Sequence, residues 1–214
     1  AESWSVAADG KTYTFKLKSG IKFHSGNPVT AADAAYSLQR AVVLNKSPGF
    51  ILTQFGFNKD NVKDRIKATD ATTMTIVVEK PFAPTFFYYC LTATVASVID
   101  SKVAMKNEKD GDFGNAWLKT NSACSGPYKL SSWKANEAYT LQANDQWFRG
   151  KPANRRVVVR HVAEPASQRL LLEKGDVDYA RNLTKDQIEA VRKNPNIVLE
   201  QGRKGSILYL GLNQ

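Results

Sequence analysis

A chain of 214 residues with 43% hydrophobic and 23% charged content is long enough to bury one large core or two small ones, and too apolar to stay disordered. Its net charge of +10 would suit nucleic acid, an anionic surface or an acidic ligand. The 30 Lys and Arg are scattered from Lys11 to Lys204, however, with no basic helix, RNP-like strand or zinc-finger spacing, which is the pattern of a solvated basic surface.

The alternation at residues 12–17 predicts a strand with Tyr13, Phe15 and Leu17 facing inward and Lys16 outward. A second short alternation at 21–24 ends in the turn cluster Ser25, Gly26, Asn27 and Pro28, so the two runs are expected to form a hairpin that feeds a helix. That helix has a clear start, because Thr30 is a good N-cap and Asp33 stands at the capping-box position. Ala31, Ala34, Ala35, Leu38 and Val42 then repeat at helical spacing. Residues 45–70 read as a long loop with short helical pieces, in which Phe50, Phe55 and Phe57 plug a core or line a pocket. A strand at 73–78 stops before Pro81. The uncharged segment 81–99 approaches the length of a membrane span, but Pro81 and Pro84 break its first turn and Thr85, Thr92, Thr94 and Ser97 dilute it. It reads as a buried wall.

Further on, 111–119 predicts a short helix around Trp117, and strands at 128–133 and 138–143 are joined by a polar turn. The last third alternates: a strand at 157–159, a helix at 165–174 stopped by Gly175, and a strand at 177–179. A helix at 184–193 with the box Thr184 and Gln187 follows, then strands at 197–199 and 207–212. A mixed α/β fold is expected, more antiparallel at first, with some parallel pairing in the last third. Residues 1–10 are polar and lack an apolar signal-peptide core, so any export signal is expected outside this sequence.

No catalytic constellation emerges. The two histidines, His24 and His161, are too few for a zinc enzyme, and His161 with Glu164 would offer two ligands only if the strand bent sharply. Cys124 between Ser122 and Ser125 is a conceivable thiol nucleophile, and Asp176 and Asp178 a conceivable acid–base pair, yet Asp176 belongs to the turn after Gly175. Neither a nucleophile elbow, a P-loop nor a dinucleotide fingerprint is present. The expectation is no catalytic residue, no metal site and no cofactor.

Three stretches carry a family resemblance. Trp4 precedes DGKTYTFKLKSGIKFHSGNPVTAAD at 9–33. SGPYKL at 125–130, with Trp133, precedes NDQWFRGKP at 144–152. RLLLEKGDVD occupies 169–178. Together, in this order, they resemble the family 5 extracellular solute-binding proteins of peptide, nickel and opine ABC importers. The blocks themselves are turn and cap chemistry, a scaffold more than a binding motif. The resemblance implies a lobe of the type II periplasmic-binding-protein kind, a fragment of a two-lobed clamp. Residues 1–120 would be an α+β subdomain of the first lobe and 121–214 a strand pair plus an α/β part leading to the hinge, with the second lobe absent. It implies an exported, periplasmic substrate-binding component that captures a peptide or similar small solute and docks on a membrane permease, without chemical conversion and without nucleic acid as partner. Solute contacts are expected from Ser47, Gly49 and Phe50, from Thr92 and Thr94, and from Leu212 and Asn213 near the hinge. Cys124 stands where family members commonly have glycine. In an exported protein Cys90 and Cys124, on either side of one helical excursion, are expected to form a disulfide. The alternative function is a basic anion- or nucleic-acid-binding module.

Overall fold

A computed structural model describes residues 1–202. The chain divides into two compact units, Ala1–Val159 and a second beginning at Arg160.

The first unit holds a four-stranded sheet of β1 (Ser3–Val6), β2 (Thr12–Lys16), β3 (Ile66–Ala68) and β4 (Thr73–Val77), in the order β1-β2-β4-β3 with every pair antiparallel. Asp9 closes the β1–β2 hairpin by accepting the backbone N–H groups of Lys11 and Thr12, and Gly10 takes the left-handed conformation that the turn requires (φ +66°). β2 therefore has β1 on one edge and β4 on the other, with Tyr13 opposite Ile76 and Phe15 opposite Met74. This corrects the expected hairpin between 12–17 and 21–24. With both edges of β2 occupied, residues 21–28 close on themselves through one Lys22–Pro28 bridge, and Phe23 N–H donates to Asn27 O at 2.8 Å.

Helix α1 (Ala31–Leu44) begins at the full capping box of Thr30 and Asp33 and ends at Asn45 in the left-handed conformation. Its small residues Ala31, Ala34, Ala35 and Ala41 are buried beside Leu38 and Val42, so helix and sheet approach closely. Helices α2 (Phe50–Thr53) and α3 (Val62–Arg65) interrupt the loop that follows. Phe55 and Phe57 enter the core, while Phe50 is 65% exposed. Pro84 starts a helix instead of breaking one: it sits in the first turn of α4 (Pro84–Leu91), where no intrahelical N–H bond is lost. Phe87 on α4 is fully buried whereas Tyr89 is 70% exposed, so the uncharged segment is a two-faced cover and not a wall buried throughout. A 3-10 turn (Thr94–Ala96), α5 (Ser101–Lys106) and α6 (Asn115–Leu118) complete this region.

Two buried carboxylates tie this region together, Asp100 joining the turn cluster to α5 and Asp33 joining α1 to α5. Asp100, 1% exposed, caps α5 by accepting from Lys102 N and Val103 N, and it also accepts from Ser25 Oγ (2.5 Å) and Asn27 Nδ2 (2.9 Å). Asp33 accepts from Ser101 Oγ at 2.6 Å. His24 adds a third tie: its backbone N–H donates to Cys124 O and its ring Nε2 to Gly126 O at 2.9 Å. A carbonyl can only accept, so the ring proton is on Nε2, and burial holds the imidazole pKa below its usual value.

A second sheet follows in the order β5-β6-β7, from β5 (Tyr128–Lys134), β6 (Ala138–Ala143) and β7 (Arg156–Arg160), with Asn136 at positive φ in the β5–β6 turn. Buried Asn144 donates to Gly126 O and accepts from Gln146 N–H, so the NDQW stretch acts as a turn anchor.

In the second unit, α7 (Pro165–Lys174) starts on proline and stops at Gly175 (φ +77°), as its sequence punctuation predicts. α8 (Lys185–Val191) follows Thr184, whose side chain makes no cap bond, so the expected box with Gln187 does not form. The expected strands at 177–179 and 197–199 are also absent. Tyr179 is 73% and Val198 85% exposed, and neither run has a partner strand among the described residues. The strand expected at 207–212 lies outside the described residues. No helix among the described residues is long and apolar enough to cross a membrane.

Candidate functional site

In the first unit, the C-terminal half of α1, the loop at 46–48, the loop at 94–99 and the segment from Asn115 to Cys124 enclose a groove of about 360 Å³. Its apolar lining comes from Ala41, Leu44, Ile99, Leu118 and Ala123, and its neutral polar lining from Ser47, Thr94, Ser97, Asn115 and Asn121. Arg40, Lys46 and Lys119 supply its charge, and no Asp or Glu lines it. A second concavity of about 320 Å³ beside Trp4, Phe15, Tyr88 and Leu91 is lined almost wholly by apolar groups, so it offers little to orient a polar solute.

Local structure sets the groove. After Asn45 ends α1, Gly49 N–H donates to Lys46 O at 2.6 Å and closes a tight turn. A Cβ at Gly49 would lie 2.9 Å from that same oxygen, so glycine is needed for the closure. Opposite the loop, Ser37 Oγ accepts Ile99 N–H at 2.9 Å and donates to Asp33 O, tying α1 to the 94–99 segment. Arg40 reaches the α6 side: Nε donates to Phe113 O at 2.8 Å and Nη2 to Asn115 Oδ1 at 3.4 Å. Burial lowers the Arg40 pKa, opposed by Tyr36 and Asp112.

Ser47 and Thr94, both expected to touch solute, meet in this groove. Three other expected residues do not line it. Gly49 is buried in its turn, Phe50 is exposed at the start of α2, and the Thr92 hydroxyl donates to Tyr89 O at 2.7 Å at the end of α4. Leu212 and Asn213 lie outside the described residues. Sequence reasoning passed over Arg40, Lys46, Lys119 and Asn121. Among the described residues, no group of three or more His, Cys, Asp or Glu is placed to hold a metal ion.

Over residues 1–214 the sequence matches the family described as bacterial extracellular solute-binding proteins, family 5 Middle. The chain belongs to this family. It is 34% identical over 213 residues to the probable D,D-dipeptide-binding periplasmic protein DdpA of Escherichia coli (strain K12), an alignment that covers 100% of this chain and 39% of DdpA. The periplasmic binding protein DppA from Helicobacter pylori, solved with the peptide STSA, superposes with a TM-score of 0.77 at 26% identity, over 92% of this chain and 40% of DppA. MoaA from A. tumefaciens R10, solved with mannopinic acid, gives 0.74 at 27% identity, over 91% of this chain and 37% of MoaA. These family 5 likenesses support the mixed α/β lobe of the type II binding proteins and lend nothing to a nucleic-acid-binding alternative. The chain spans 39% of the length of DdpA.

In this family 5 chain the expected Cys90–Cys124 disulfide is not formed, and both thiols are free. The two sit in different surroundings. Cys90 packs against the main core at the end of α4, with Gln54 Nε2 3.6 Å from its sulfur, and burial pushes its thiol pKa up. Cys124 lines the groove next to Ala123, which belongs to a separate small cluster with Ile99 and Ala104.

Proposed function

We propose that this family 5 chain is part of the substrate-binding component of an ABC importer, which captures a peptide or similar small solute in the periplasm and delivers it to a membrane permease. The observation that carries this reading is the groove: an apolar lining with convergent hydroxyls and amides, of a volume within the range of small-molecule sites. The match to solute-binding proteins over residues 1–214 supports it. So do the names of its relatives, which bind a D,D-dipeptide, a peptide and an opine-type acid.

An open groove does not bury the 70–90% of ligand surface typical of such sites, so a second surface must close over the solute. In this reading residues 1–120 form an α+β subdomain and 121–214 a strand pair plus an α/β part leading to a hinge. The remaining length seen in the relatives provides the second lobe, and closure of the two lobes creates the form that the permease accepts. Ser47 and Thr94 touch the solute, Gly49 shapes the loop that carries Ser47, and Leu212 and Asn213 are further candidates for solute contact. Transport of this kind calls for no catalytic residue and no cofactor.

Native mass spectrometry of the intact protein, purified without unfolding, tests this. The expected spectrum contains a bound population heavier by the mass of a small peptide or comparable solute, which collapses to the bare protein on activation. A single unliganded mass, together with no thermal shift from peptide pools, would overturn the reading.

A further inference from the structure

We propose that Asp110–Gly111 is a site of spontaneous covalent modification, at which the backbone isomerises to isoaspartate. The chain has two Asp-Gly pairs, at 9–10 and 110–111, and the fold treats them oppositely. In the first pair both reacting groups are engaged. Asp9 Oδ1 accepts from Lys11 N–H at 2.8 Å and Thr12 N–H at 3.0 Å, Oδ2 accepts from the Thr12 hydroxyl at 2.8 Å, and Gly10 N–H donates to Ala7 O at 3.0 Å. A Cβ placed on Gly10 would meet Pro81 at 3.2 Å, so this turn also has little room to move.

In the second pair neither group is engaged. Asp110 and Gly111 are exposed, and among the described residues the Asp110 carboxylate has no hydrogen bond or ion pair and Gly111 N–H has no acceptor. No atom lies within 4 Å of the place a Cβ on Gly111 would take, so the approach to this peptide is open. Both residues adopt positive φ, +50° and +74°, in a turn closed by Asp112 N–H to Lys109 O and by Lys109 N–H to Asp112 Oδ1, each at 3.0 Å. Left-handed backbone is strained for Asp, which carries a Cβ. An exposed turn held by so few bonds opens at small free-energy cost, which permits the rotation about Asp110 ψ that ring closure needs.

The chemistry uses only water. The Gly111 backbone nitrogen attacks Cγ of the protonated Asp110 carboxyl, a new N–C bond forms, and the carboxyl hydroxyl leaves with the amide proton as water, giving a cyclic imide. Water then adds to one of the two imide carbonyls. Opening at Cγ restores Asp110, whereas opening at the main-chain carbonyl leaves the chain joined through Cγ, as isoaspartate. Atoms balance and nothing is oxidised or reduced. The extra backbone carbon lengthens the connection between α5 and α6 just before Phe113, whose carbonyl holds Arg40.

The test is incubation of the intact protein at about pH 5, where an ordinary Asp carboxyl is still protonated in part. Chymotryptic peptides are then probed with purified isoaspartyl methyltransferase and labelled S-adenosylmethionine. Label should accumulate in the peptide containing Asp110 about tenfold or more faster than in the peptide containing Asp9. In denaturant the two rates should converge, because the hydrogen bonds that protect Asp9 are gone. Asp110→Glu, at an exposed position, should abolish the first signal, since the longer side chain closes the imide ring far more slowly. Equal labelling of both peptides in the folded protein, a contrast that persists in denaturant, or label retained in Asp110→Glu would each overturn the assignment.

Discussion

Phe87→Ala should lower the unfolding free energy by about 3–5 kcal/mol, against less than about 1 kcal/mol for Phe86→Ala next to it on α4. Phe87 is fully buried, with its ring centroid 4.3 Å from that of Tyr13 and 4.9 Å from that of Phe55 in an edge-to-face contact. Truncation therefore removes apolar burial and these aromatic contacts, and leaves a cavity beneath a helix of only eight residues that cannot easily collapse into it. Phe86 is 45% exposed, so its loss is mainly a surface change. Urea unfolding followed by fluorescence would show the difference as a large drop in midpoint for one variant only. Similar midpoints for both would mean that α4 does not present Phe87 to the core.

Asp100→Ala should cost about 3 kcal/mol near neutral pH, because it deletes an N-cap and strands the Ser25 and Asn27 donors that it satisfies. Its pH dependence has a definite sign. Burial disfavours the ionised carboxyl, but the bonds from Ser25, Asn27, Val103 and Lys102 outweigh that penalty, and the folded pKa lies below the ordinary Asp value. A depressed folded pKa contributes stability that is fully present above the unfolded pKa of about 3.9 and is lost as pH falls through the folded value. The stability gap between wild type and variant should thus stay level from about pH 7 to pH 5 and narrow below about pH 4. A gap that widens on acidification would contradict the assignment of the ionised form to Asp100.

Elements with their own local punctuation were legible in the sequence. Thr30 with Asp33 defines the start of α1, Pro165 and Gly175 bracket α7, and a polar turn separates β5 from β6. β1 escaped because it is an edge strand: Ser3 and Ser5 leave no apolar alternation, and Trp4 is itself 57% exposed. Residues 21–24 imitated a strand because Ile21 and Phe23 alternate with polar neighbours. Pairing, though, depends on which edge is free, and β4, sixty residues further on, takes the free edge of β2. The same limit explains the runs at 177–179 and 197–199, where a strand-like composition has no neighbour among the described residues.

The candidate site was less legible for a related reason. Ser47 and Thr94 came from family resemblance, while Arg40 looks in sequence like any helix-borne cation. It becomes a groove residue only when the 113–115 segment packs on α1 and fixes its guanidinium. Cys90 and Cys124 show the converse: their count and spacing allowed a bridge, but the folding of α4 and of the 121–124 segment places them in different packing environments.

The claim that this chain forms one wall of a solute-binding cleft is tested most directly by a crystal structure of the intact protein with its co-purified solute. The expected result is a solute seated against the groove, within hydrogen-bonding distance of Ser47 or Thr94. A solute bound elsewhere, with the groove filled by the protein's own side chains, would contradict it.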